Sequence, residues 1–105
     1  AESTDKIINS FFKVYNTLGY GFLEKVYENA LVIELKRVEF NVLQQQNIKV
    51  FYENQVAGDY FADIIADQVI LEIKASECLR DENKAQLINY LKATDKEVLA
   101  IIEFW

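Results

Sequence analysis

The stretch YFADIIADQVILEIKA, Tyr60 to Ala75, sets Asp63, Glu72 and Lys74 among residues otherwise suited to a buried sheet. If Asp67-Gln68 is the two-residue loop of a hairpin, Ala66 faces Val69, Ile65 faces Ile70 and Asp63 faces Glu72. Facing side chains share a face of the sheet, and Lys74, two residues beyond Glu72, joins them. Like charges directly opposite each other destabilise a sheet. A divalent cation between the carboxylates reverses the sign of that interaction, and oxygen ligands suit magnesium or manganese. The plainer reading is a solvated Glu-x-Lys pair on an edge strand. Against it, one face of the hairpin mixes the charges with Phe61, Ile65 and Ile70, while the other carries Ala62, Ile64, Ala66, Leu71 and Ile73. A strand apolar on both faces is central and covered, so charges on it need partners.

The remaining composition narrows the chemistry to carboxylates, lysine, hydroxyls and amides. The sequence has no histidine and one cysteine, Cys78. That closes histidine-based triads, imidazole acid–base catalysis and ordinary zinc centres. A lone cysteine also excludes an internal disulfide and fits a reducing cytoplasm. The net charge of -6 gives no bulk attraction to nucleic acid or an anionic membrane. No apolar run approaches a membrane span, and AESTDKIINSFF lacks the form of a signal peptide.

The elements that must position these groups follow from changes in periodicity. Ile7, Ile8, Phe11, Phe12, Tyr15 and Leu18 recur at helical spacing behind the capping-prone Ser3-Thr4 and Asp5. Gly19 and Gly21 end that helix. A second runs from about Phe22 to Val38, with Leu23, Val26, Tyr27, Ala30, Leu31 and Leu35 as its apolar stripe. VLQQQNIKVFY, unusually rich in glutamine, VAGDYFADIIA and QVILEIKA read as three strands. RDENKAQLINYLKAT returns to helical spacing, and EVLAIIEFW closes as a buried strand. The 105 residues thus form one domain of mixed α/β (α+β) class, long enough for a single core.

Asp63 followed by Glu72-x-Lys74 on a hairpin between helices resembles the PD-(D/E)XK nuclease superfamily. Gly21, Glu24 and Tyr27 fit Gly-x-x-Glu-x-x-Tyr, and with ADII, EIKA and AQLINYLKAT the chain is similar to the small bacterial GxxExxY proteins of that superfamily. The resemblance covers nearly the whole chain in order. It implies a restriction-endonuclease-like αβββαβ core with an extra N-terminal helix.

It also implies roles. Asp63, Glu72 and the Ile73 carbonyl would hold Mg2+ or Mn2+, and Lys74 would orient or help deprotonate the attacking water. Glu24 matches the upstream acid, and Gln86 matches a glutamine that contacts water or phosphate. DNA or RNA would be the substrate, met by Arg80, Lys84, Tyr90 and Lys92 along the last helix. Taken alone, Glu24 is an ordinary first-turn acid, Tyr27 is core packing with a hydroxyl in reach of Glu24 or the site, and Gln86 and Tyr90 make a partly polar helix face. Relatives commonly carry histidines where Tyr15 and Asn83 stand here. The second class of function is therefore a nuclease-fold binding or assembly module without turnover. A homodimer is compatible with either reading.

Overall fold

A computed structural model of the chain describes residues 2–19, 21–75 and 98–103. Two helices, α1 (Glu2–Leu18) and α2 (Glu24–Arg37), precede strands β1 (Val42–Tyr52), β2 (Gln55–Ala66), β3 (Val69–Lys74) and β4 (Val98–Glu103). The sheet has the order β1-β2-β3-β4. Its first three strands are antiparallel, and β4 runs parallel to β3, from Val69 opposite Val98 to Lys74 opposite Glu103. A parallel neighbour requires a crossover connection. The helix expected there, RDENKAQLINYLKAT, lies outside the described residues. The elements otherwise agree with the expected α+β mixed sheet.

Each helix buries one stripe, α2 against the sheet and α1 chiefly against α2. From α1, Ile7 and Val14 are buried and Phe11, Tyr15 and Leu18 pack beside them. Ile8 and Phe12, expected in this stripe, are exposed: the positions 7, 11, 14 and 18 line one face and these two flank it. Ser3 and Thr4 fall within the range of α1. From α2, Tyr27, Leu31, Val32 and Leu35 enter the core, whereas Leu23 is 80% exposed and Val26 is also exposed. Leu23 precedes the helix as its N-cap residue, so its side chain never joins the helical stripe. Each buried aliphatic side chain here contributes on the order of 2 kcal/mol.

The ends of α2 are fixed by backbone chemistry. Phe40 N–H donates to the Leu35 carbonyl and Glu39 N–H to the Lys36 carbonyl, both at 3.0 Å. That is a Schellman motif, with Glu39 in the left-handed region at φ 71° and Phe40 buried beside Leu35. Asn41 and Asp67 then exchange two 2.9 Å bonds, Asn41 N–H to Asp67 Oδ1 and Asp67 N–H to the Asn41 carbonyl. These bonds tie the exit of α2 to the β2–β3 loop. The helix is thereby locked over the hairpin that carries Asp63 and Glu72.

β3 is buried from Val69 to Ile73, as expected of a central strand. Val69, Leu71 and Ile73 face the helices, and Ile70 packs with Ile48, Ala62 and Ile65 in a second cluster. Ala62 was expected to share a face with Ile64, yet Ile64 belongs to the helix-side core and Ala62 to the other cluster. The alternation slips between them. The β1–β2 ladder pairs Gln44 with Ile64 and Gln46 with Ala62 but skips Gln45 and Asp63, and Gln45 adopts φ 53°. A left-handed residue kinks the strand at this point.

Candidate active site

The predicted hairpin register holds: Ala66 faces Val69, Ile65 faces Ile70 and Ile64 faces Leu71. Pairing stops there. At the fork, Asp63 Oδ2 accepts the Ile73 N–H at 2.9 Å, so a side chain takes the place of a backbone partner. Asp63 Oδ1 accepts from Gln45 Nε2 at 3.1 Å. The two strands diverge around a carboxylate held at both oxygens.

Glu72 lies next to it, only 5% exposed. Its Oε1 is buried and has no hydrogen-bond partner. Burial, then the neighbouring Asp63 charge and a hydrogen bond shared with Asp63, push the Glu72 carboxyl from 4.5 up to about 9; Lys74 opposes the rise. A buried acceptor without a partner costs about 1–3 kcal/mol, and more when charged. Such an atom in a native fold calls for an explanation, and a cation is one.

Glu24, Lys25, Glu28, Gln45, Asp63, Ile73 and Lys74 line a cavity of about 310 Å³ at this fork. Four of the expected site residues, Glu24, Asp63, Ile73 and Lys74, therefore meet in one place. Glu72 packs directly against Asp63. Among the described residues no group of three or more Asp, Glu, Cys or His side chains forms a metal cage. The fit of a divalent ion rests on the Asp63–Glu72 pair, the orphaned Glu72 oxygen and the Ile73 carbonyl. Hard oxygen donors of this kind suit magnesium or manganese.

Glu24 reaches the cavity because of Tyr27. Gly19 and Gly21 take φ values of 68° and 106°, turning the chain between the helices. The Tyr27 hydroxyl donates to the Gly19 carbonyl at 2.6 Å and accepts from Phe22 N–H at 3.3 Å. It was expected within reach of Glu24; instead it closes the loop from beneath, fully buried. Gly21, Glu24 and Tyr27 thus act together: the glycine turns, the tyrosine fastens the turn, and the acid stands in the first turn of α2.

Sequence reasoning missed Glu28. It is 4% exposed and accepts from Lys25 Nζ at 3.1 Å, Gln44 Nε2 at 2.7 Å and Gln45 Nε2 at 3.1 Å. Two signals were present: an acid beside Tyr27 on the apolar side of α2, and the run Gln44-Gln45-Gln46 in a strand. Arg80, Lys84, Gln86, Tyr90 and Lys92, together with Cys78 and Asn83, lie outside the described residues. Tyr15 packs against the helix-side core and stacks on Phe11 at a centroid distance of 6.0 Å. No described helix is long and apolar enough to cross a membrane.

A family model of the PD-(D/E)XK nuclease superfamily matches residues 1–105. No curated protein and no solved structure matches the chain.

Proposed function

The chain belongs to the PD-(D/E)XK nuclease superfamily, and from that premise we propose that it hydrolyses phosphodiester bonds of DNA or RNA at the β2–β3 fork. Nucleases of this superfamily generally use divalent metal ions. The observation that carries the reading is the buried, unpartnered Glu72 Oε1, which belongs to the acid coupled to Asp63, itself a lining residue of the cavity. A fold selected for stability alone would pair that oxygen or replace it.

Asp63, Glu72 and the Ile73 carbonyl would hold Mg2+ or Mn2+. When bound, such an ion polarises a phosphoryl oxygen and lowers the pKa of bound water. The chain's own residues then divide the work. Asp63 is pre-set by the Ile73 amide and Gln45, so little reorganisation accompanies binding. Lys74 brings a positive charge into the same cavity, where it orients the attacking water and offsets charge on the phosphate. Glu24, which lines the same cavity, accepts a hydrogen bond from water or serves a second ion. Gln86, Arg80, Lys84, Tyr90 and Lys92 are assigned to substrate contact through the superfamily pattern alone. The pattern Gly21, Glu24, Tyr27 supports a finer placement among the GxxExxY proteins.

A second reading, a binding or assembly module without turnover, is favoured by the net charge of -6 and the absence of histidine. One experiment separates them. Mg2+ or Mn2+ is titrated while thermal stability is followed, and cleavage of single-stranded, duplex and branched DNA and of RNA is assayed. Metal-dependent stabilisation and cleavage, both lost in Glu72→Ala, support the enzyme. Stability indifferent to metal, with no substrate cut, sinks it.

A further inference from the structure

The residue that joins the second helix to Asp63 is Gln45, and its conformation is unusual for where it sits. It lies inside β1, yet its φ of 53° is left-handed and the ladder skips it. Non-glycine residues held in that region cluster at functional sites, because the surrounding fold must enforce them. Here the kink turns the side chain toward α2. Its Nε2 lies 3.1 Å from both oxygens of Glu28 and 3.1 Å from Asp63 Oδ1. A carboxamide nitrogen carries two N–H groups, one for each carboxylate. Two acids can accept only from the nitrogen end, so the orientation of the amide follows from its neighbours.

Glu28 is itself anchored. Lys25 lies one turn before it on α2, and Gln44, which also donates to Asn29 Oδ1 at 2.7 Å, approaches from β1. Buried at 4% exposure with three donors around it, Glu28 is a fixed post from which Gln45 reaches the fork. Asp63 is then gripped at Oδ1 by Gln45 and at Oδ2 by the Ile73 amide. Beyond these two bonds, the Asp63 carboxylate keeps lone pairs for the neighbouring Glu72 carboxyl and for a ligand.

We propose that Glu28 and Gln45 form a positioning relay that fixes the Asp63 carboxylate, so that the position of α2 on the sheet sets the geometry of the site. The relay rests on the reading of Asp63 as a metal ligand only for its purpose; the link between Gln45 and Asp63 stands without it. Hydrogen-bond partners behind a metal ligand typically govern affinity by ten- to a hundredfold. Gln45 touches neither substrate nor ion in this role and acts through Asp63.

The test has two arms. Calorimetric titration with Mn2+ is expected to show about a tenfold loss of affinity in Gln45→Met, which keeps length and removes both donors. Glu28→Gln is expected to lose affinity too, and the double variant no more than the larger single loss. In the second arm, Tm is measured in EDTA for Gln45→Met, Asp63→Ala and the pair. The pair is expected to fall by less than the sum of the single losses, since both remove the same contact. Wild-type Mn2+ affinity in Gln45→Met overturns the relay, as do additive Tm losses. Absence of Mn2+ binding by the wild type, with sub-additive Tm losses, overturns the metal reading and leaves the relay in place.

Discussion

Replacing Glu72 with glutamine should make the metal-free protein more stable, by an amount that grows with pH. In the fold the Glu72 carboxyl is raised from 4.5 to about 9 by burial and by Asp63. Below 4.5 both folded and unfolded chains carry the proton, and the raised pKa gives its full contribution to stability. Above 4.5 the unfolded chain releases the proton while the native chain keeps it, so stability falls until the pH passes about 9. The slope is about 1.4 kcal/mol per pH unit. By neutral pH the wild type therefore stands roughly 3 kcal/mol below a chain whose residue 72 cannot ionise. Glutamine keeps the shape of the protonated acid and has no such slope. Urea unfolding in EDTA at several pH values between about 5 and 8 reads the difference directly. The two proteins should be close at the acid end and separate steadily toward the alkaline end. Parallel curves, or a variant less stable than wild type throughout, would refute the burial-driven protonation of Glu72.

Further outcomes follow from the same geometry. If Glu72 is a metal ligand, Mn2+ should raise Tm more at about pH 8 than at about pH 6, because the ion must expel the proton held on Glu72; an equal rise at both would contradict it. Tyr27→Phe removes the bonds to Gly19 and Phe22 and should cost about 1–3 kcal/mol in urea unfolding. Glu39→Gly relieves a left-handed residue in the Schellman motif and should add about 0.5–1 kcal/mol in the same measurement.

The hairpin register was legible because it depends on two simple facts, a two-residue loop at Asp67-Gln68 and a side-chain period of two. Both hold, and they bring Asp63 to Glu72. The aim of Asp63 was not legible. It depends on a left-handed residue on the neighbouring strand, and glutamine gives no local signal for that conformation. The buried face of α2 was half legible. Tyr27, Leu31 and Leu35 follow helical spacing, but Leu23 and Val26 are apolar and exposed, while Glu28 is charged and buried. Glu28 is stabilised there by Lys25, Gln44 and Gln45, and two of those partners come from a strand. Apolarity along one helix carries no record of such partners. The role of Tyr27 lay in between: its burial and the glycine turn were expected, whereas the bond from its hydroxyl to the Gly19 carbonyl depended on the path that turn takes in the fold.

The most direct test is single-turnover cleavage of an end-labelled oligonucleotide with Mn2+, comparing the wild type with Lys74→Ala. The proposed function assigns Lys74 to the phosphate and not to the metal, so the variant should retain Mn2+ binding and lose cleavage by about a hundredfold or more. Equal cleavage by the two proteins, or cleavage that persists in EDTA, would contradict metal-dependent hydrolysis at the β2–β3 fork.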